Sequence, residues 1–158
     1  MKKLLVLGCL SLLLGFAQAQ EKGAVRLHTG GEFGTWPGLF FGFNAGGEYV
    51  FMDRLSIVPN YTQFFPEFGH ARSLNLDTRY YFTETSLKWY GVGGFMNAWS
   101  LLNRPGFGMV RVNTQGPSLG FGGLLSFDSR LALNPEVKYW SQREGRFIFT
   151  FSMVYFLN

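Results

Sequence analysis

Hydrophobic and polar side chains alternate with a period of two along most of this 158-residue chain. The clearest run is the last one, in which Phe147, Phe149 and Phe151 share one face while Thr150 and Ser152 share the other. Because successive side chains of an extended backbone point to opposite faces of a sheet, this period predicts β-strands. Runs of this kind between turn signals predict eight strands, at residues 24–33, 38–52, 55–64, 73–82, 87–100, 118–128, 131–140 and 146–157.

The connections between the predicted strands alternate between short and long. Tight turns are predicted at residues 52–54, 83–86 and 128–130, and longer loops at 34–37, 65–72 and above all 101–117. Short turns at one rim and longer loops at the other are typical of an up-and-down outer-membrane barrel, and an even strand number puts both chain ends at the short-turn, periplasmic rim. The sequence therefore predicts an all-β protein: an eight-stranded antiparallel up-and-down transmembrane β-barrel.

The distribution of charge indicates which face of the barrel meets lipid. In the fourth predicted strand Leu74 and Leu76 oppose Asp77 and Arg79. Large apolar side chains outnumber what the narrow interior of an eight-stranded barrel holds, so we expect them outside, against lipid. Aromatic residues near both ends of the strands agree with the two girdles of a membrane barrel. For the fifth predicted strand the sequence does not show which face points to lipid, since large apolar side chains lie on both. One face carries Tyr90, Val92 and Met96, and the other carries Trp89, Phe95 and Trp99.

The first nineteen residues have the features of a secretory signal peptide. Lys2 and Lys3 precede an apolar run, and Ala17-Gln18-Ala19 forms a small-x-small cleavage site. A lipoprotein signal ending at Cys9 is a minor alternative. We expect residues 1–19 to be the signal peptide and residues 20–158 to be the barrel domain of an exported outer-membrane protein. Two of the 14 basic residues fall in the signal, so the rest barely exceed the 10 acidic ones, which makes no case for nucleic acid.

Several short segments of the chain resemble the small outer-membrane barrels of the OmpA/OmpX-type superfamily, especially the barrel-only porin-family proteins of Bacteroidetes. The likeness extends over the whole mature chain as a pattern of glycines, aromatics and turns. The segments that carry it are 49–57 (YVFMDRLSI), 79–82 (RYYF), 89–94 (WYGVGG), 120–123 (GFGG) and 134–139 (NPEVKY). The resemblance implies the fold and insertion by the barrel-assembly machinery. Chains of this superfamily usually end on an aromatic residue. Here the last aromatic residue, Phe156, is followed by Leu157 and Asn158.

Charged side chains on the predicted lumen face are the first candidate site. Buried charges are tolerated when they are paired and hydrogen-bonded, so we expect a salt-bridged plug that fills the barrel. An aqueous channel needs about twice as many strands. A narrow path for protons, ions, small solutes or hydrophobic molecules is the alternative. The side chains are Arg26, His28, Glu32, Glu48, Asp77, Arg79, Glu136 and Lys138.

Arginines near the predicted long loops are the second candidate site. Guanidinium groups pair bidentately with phosphate, so contact with lipopolysaccharide in the outer membrane is one hypothesis, and ordinary solvated charge is the other. These arginines are Arg72, Arg104, Arg111, Arg143 and Arg146. The loops also offer a surface for an external protein, for example by strand addition at residues 109–112.

A lipid A-modifying enzyme is the least favoured alternative. Some barrels of this size resemble serine hydrolases, and here His70 lies near Ser73, with Glu67 adjacent. The His-x-Ser-Asn arrangement of the deacylase is absent, because residues 70–75 read HARSLN. The sequence predicts no catalytic residue, no cofactor and no metal site. A structural or adhesive surface role is the function we expect.

Overall fold

A closed barrel of eight antiparallel strands accounts for nearly all of the residues that the structure describes. The structure is a computed structural model that describes residues 22–35, 40–66, 69–83, 85–104, 108–142 and 145–157. The strands are β1 (Val25–Gly34), β2 (Phe40–Met52), β3 (Leu55–Phe65), β4 (Gly69–Tyr81), β5 (Leu87–Arg104), β6 (Gly108–Ser126), β7 (Leu131–Trp140) and β8 (Arg146–Phe156). Each strand pairs with the next, and β1 also pairs with β8. The predicted fold class is confirmed.

Two further findings concern segments beyond the strands. The predicted signal peptide, residues 1–19, lies outside the described residues, so the boundary at residue 20 stays a prediction. Within the described part of the chain, no helix is long and apolar enough to cross a membrane.

Short connections join β2 to β3, β4 to β5 and β6 to β7. β1 begins and β8 ends at the same rim as these connections, here called the short-turn rim. In the first of these turns Arg54 has a φ of 67°, the left-handed conformation found where a tight hairpin closes beside a bulge. The register shift between Val50 and Met52 is that bulge. The opposite rim is called the hairpin rim.

The prediction of a loop at residues 101–117 is wrong. β5 and β6 pair without interruption from Leu87 and Leu125 to Arg104 and Gly108, so nearly all of that segment is a long hairpin. Its glycines and prolines resemble turn signals, but backbone pairing with the neighbouring strand overrides these local signals. For the same reason β4 begins at Gly69, inside the predicted loop at 65–72.

The long hairpin leaves one strand edge open. β6 pairs with β7 from Ser118 and Trp140 towards the short-turn rim. Among the described strands, only β5 pairs with residues 108–116 of β6. This stretch therefore carries backbone groups that no described strand uses.

The outer surface of the barrel is apolar. An apolar belt of large exposed side chains surrounds it, and Phe43 and Leu119 are 61% and 70% exposed. The fifth strand, whose facing the sequence left open, has Tyr90, Val92 and Met96 buried inside and Phe95 exposed outside. Members of the belt include Leu27, Phe33, Phe43, Ile57, Leu74, Leu76, Phe95, Leu119, Phe121, Phe149, Phe151 and Met153.

Adjacent glycines of β2 show how crowded the interior is. A Cβ on the inward-facing Gly46 would lie 2.6 Å from the carbonyl oxygen of Pro59. A Cβ on the outward-facing Gly47 would find nothing nearer than the carbonyl oxygen of Arg26, at 3.7 Å. Glycine on the inner face thus makes room for a tightly filled lumen.

Candidate functional site: the charged lumen and the basic rim

Glu48 of β2 lies at the centre of the charged side chains in the lumen. Its carboxylate is 3.3 Å from the guanidinium of Arg26 and 3.5 Å from that of Arg79. His28 Nε2 lies 3.1 Å from Glu48 Oε2. Alternation brings these groups together, because each lies at an inward position of its strand.

A second carboxylate continues the network across the lumen. Glu136 of β7 lies 2.6 Å from Arg79 and 3.4 Å from Lys138 Nζ. Lys138 also donates a hydrogen bond of 2.8 Å to Asp77. These contacts and those of Glu48 place three carboxylates among three cations, so charge is balanced within what we call the ion-pair layer.

Glu32 was predicted to belong to this network but does not pair with any of its cations. It is completely buried, and Thr62 donates a hydrogen bond of 2.8 Å to its Oε2. No salt bridge joins it to a described residue. The structure therefore brings seven of the eight predicted lumen charges into contact. The eighth, Glu32, accepts a hydrogen bond from the hydroxyl of Thr62.

Two clusters of mainly apolar side chains lie in the lumen, one on each side of the ion-pair layer. The order is visible along β7, whose inward positions run from Ala132 through Asn134, Glu136 and Lys138 to Trp140. The short-turn cluster consists of Tyr81, Tyr90, Val92, Leu124, Ala132 and Val154. The hairpin-side cluster consists of Phe64, Met96, Ala98, Trp140 and Ile148. The charged side chains of the ion-pair layer are themselves at most 6% exposed.

At the hairpin rim the outer surface carries basic side chains. Arg72 of β4 and Arg111 of β6 are exposed, and the Arg72 guanidinium lies 5.6 Å from the centre of the Trp99 ring. Both arginines line an outward cleft of about 660 Å³, here called the rim cleft. Of the other predicted lipopolysaccharide contacts, Arg146 is partly buried at the start of β8 and Arg104 ends β5. Arg143 lies outside the described residues.

Comparison with known proteins bears on the fold. No protein-family model matches the chain, and no curated protein matches it in sequence. Among solved structures, the N-terminal β-barrel domain of Pseudomonas aeruginosa OprF has a TM-score of 0.71 at 15% identity, with 89% of this chain and 100% of that domain covered. The chain has the fold of the small outer-membrane β-barrels.

Two further solved structures agree with this assignment. Ail, the attachment invasion locus protein of Yersinia pestis, has a TM-score of 0.65 at 14% identity, over 87% of this chain and 100% of Ail. Neisserial surface protein A has a TM-score of 0.61 at 14% identity, over 83% of this chain and 94% of that protein. All three neighbours share the eight-stranded barrel fold that the resemblance to OmpA/OmpX-type barrels implied.

The residues considered for an enzyme do not form a catalytic pair in this barrel. His70 is exposed on the outer face of β4, whereas Ser73 is completely buried in the lumen. Because the two side chains lie on opposite sides of the sheet, His70 cannot act as the base for Ser73. Glu67 lies outside the described residues. No group of three or more histidine, cysteine or acidic side chains in the described part of the chain could hold a metal ion.

Hydroxyl and amide groups in the lumen were missed by the sequence analysis. Tyr81 and Ser56 each donate a hydrogen bond of 2.6 Å to Glu48, and Tyr90 donates one of 2.7 Å to Glu136. Asn134 accepts a hydrogen bond of 3.0 Å from Arg79. For Ser56, Tyr81 and Asn134 the signal was present in the sequence, because alternation puts each at an inward position; for Tyr90 it was not, because both faces of the fifth strand are apolar.

Proposed function

We propose that the protein is an integral outer-membrane barrel with a closed, salt-bridged lumen that serves a structural or adhesive role at the cell surface. The observation that carries this proposal is the ion-pair layer held between two apolar clusters. The apolar belt, which a soluble barrel would not expose, supports a lipid environment for the outer face.

Passage of ions through this lumen would be opposed at both ends. Trp140 and Ile148 on the hairpin side are at most 1% exposed, and Tyr81 and Leu124 on the short-turn side are completely buried. An ion moving past Trp140, Ile148 and Leu124 would lose its hydration against mainly apolar side chains, which is costly. Its passage would also require breaking buried ion pairs, each of which leaves an uncompensated charge.

The alternatives have less support. A narrow transporter of small or hydrophobic solutes needs a continuous path, whereas packed side chains fill both ends of the lumen. A lipid A-modifying enzyme needs a nucleophile beside a base, whereas His70 and Ser73 face opposite sides of β4. We therefore favour a non-enzymatic role.

The outer surface supports the second part of the proposal. The hairpin of β5 and β6 has an open strand edge at residues 108–116, where an extended segment of an external protein would find unused backbone groups. The basic rim favours lipopolysaccharide as a neighbour. Among proteins of similar fold, Ail has been solved in complex with the heparin analogue sucrose octasulfate. Insertion of residues 20–158 by the barrel-assembly machinery, after removal of residues 1–19, belongs to the same proposal.

Conductance across a planar lipid bilayer tests the closed lumen. We expect the inserted full-length mature chain to give no steady open-channel current, while a general porin in the same bilayer gives one. Insertion is checked in vesicles of the same lipid by circular dichroism and protease resistance. A steady single-channel current from the inserted protein would contradict the closed lumen and favour the transporter.

A further inference from the structure

The rim cleft combines cationic and apolar side chains on the lipid-facing side of the barrel. Its walls come from β3, β4, β5 and β6 at the hairpin rim. The volume, about 660 Å³, falls in the range of small-molecule sites. The side chains that decide its chemistry are Phe65, His70, Arg72, Trp99, Leu101 and Arg111.

The depth of the cleft relative to the bilayer follows from two tryptophans of β5. Trp89 and Trp99 lie on the same outward face, ten positions apart. A tilted strand crosses the hydrocarbon layer in about 9–11 residues, and tryptophan favours its two boundaries. Trp99 therefore marks the boundary at the hairpin rim, and Arg72 above its ring lies at headgroup level. Towards the bilayer centre, Leu74 and Phe95 continue the two strands as part of the apolar belt.

The cationic groups of the cleft have no carboxylate partner among the described residues. Neither Arg72 nor Arg111 takes part in a salt bridge there. The described acidic residues all lie elsewhere: Glu32, Glu48, Asp77 and Glu136 are in the lumen, and Asp53 and Asp128 are in turns of the short-turn rim. Positive charge at headgroup level with no carboxylate partner among the described residues is complementary to a lipid phosphate.

We propose that the rim cleft binds the phosphorylated headgroup of one lipid molecule of the outer leaflet, with Arg72 and Arg111 on the phosphate. This inference deepens, and rests on, the proposed membrane-spanning orientation. The Arg72 guanidinium lies over the Trp99 ring, 5.6 Å from its centre, and a guanidinium can make a bidentate contact with phosphate oxygens. A lipid fits better than free phosphate, because the acyl chains of the same molecule would lie along Leu74 and Phe95.

Native mass spectrometry of the full mature chain in a zwitterionic detergent tests the site. Diphosphorylated lipid A is the probe, and lipid A with its phosphates removed is the comparison. We expect one lipid A to bind to the wild type, and the double variant Arg72→Gln, Arg111→Gln to weaken binding by at least about tenfold, since it removes two charge-assisted contacts. Arg130→Gln is the matched control, because Arg130 lies in a turn of the short-turn rim. This variant should bind like the wild type.

Three outcomes would overturn the proposal: equal binding by the double variant, equal binding of the dephosphorylated lipid, or full competition by inorganic phosphate at the same concentration. The last would make the cleft a site for free anions. The conductance measurement separates this inference from the proposed function. A closed barrel that fails to bind lipid A refutes the cleft alone, and a conducting barrel refutes the closed lumen whether or not lipid A binds.

Discussion

At the scale of single residues, Glu48 decides the arrangement of the lumen. Its carboxylate accepts hydrogen bonds from Ser56 and Tyr81 and lies within 3.5 Å of both Arg26 and Arg79. A buried carboxylate with this many partners is tolerated only as long as all of them stay in place. Removing its charge would leave two buried guanidinium groups with fewer counter-charges.

We expect Glu48→Gln to lower the free energy of unfolding by about 3–5 kcal/mol, the usual cost of breaking a buried ion pair. Glu32→Gln is the matched control, since Glu32 is equally buried but forms no ion pair with a described residue. Its cost should not exceed about 1 kcal/mol. Urea unfolding of the vesicle-inserted variants, followed by tryptophan fluorescence, measures both. Equal losses would show that ionic pairing contributes little at Glu48.

At the scale of elements, the hairpin of β5 and β6 is the part that differs most from its prediction. The two strands contain 18 and 19 residues, roughly twice the length needed to cross the bilayer. The excess lies at the hairpin rim, where residues 108–116 pair with β5 alone. Because only one edge of this stretch is paired, every second N–H group is hydrogen-bonded to β5, a pattern that a loop lacks.

Hydrogen exchange measured by NMR should show that signature. In residues 109–115 we expect slow and fast amide exchange to alternate, because consecutive N–H groups point towards β5 and towards the open edge. Residues 118–122 are the internal control, since they pair with both β5 and β7 and should all exchange slowly. Uniformly fast exchange at 109–115 would indicate a loop after all.

At the scale of the whole molecule, the pairing that closes the sheet also packs the lumen. Pairing of β1 with β8, from Arg26 and Phe156 to Gly34 and Ile148, leaves no edge within the belt. It also brings Ile148 and Val154 of the last strand into the two apolar clusters. Residues 108–116 of β6 take no part in this closure, because among the described strands only β5 pairs with them.

Replacing residues 103–109 by an Asn-Gly turn should therefore leave the barrel intact. The new turn would follow the pair Leu102 and Val110, and Asn-Gly suits a two-residue hairpin. We expect normal insertion into vesicles and a change in unfolding free energy of no more than about 1 kcal/mol. Deletion of Gly93 is the contrasting control, because one missing residue moves every later side chain of β5 to the other face. Loss of insertion in the turn variant would mean that the outer hairpin is needed for folding.

The sequence alone predicted the strand number, the order of the strands and the inward or outward facing of most of them. Alternation is a local property, and in β7 it separates Glu136 and Lys138 from Val137 and Tyr139 without further information. The fifth strand was the exception. Because both of its faces are apolar, only the neighbours of Met96 and Phe95 in the closed barrel could decide which one points inward.

Tertiary structure alone decided which charges meet and where the strands end. Arg79 and Glu136 are 57 residues apart in the chain, and their contact follows from the register and closure of the sheet rather than from any spacing. The same register shows that Glu32, though inward-facing, pairs with no described cation. Pairing between β5 and β6 carried both strands past glycines and prolines that resemble turn signals, because backbone hydrogen bonds to a neighbouring strand outweigh local conformational preference.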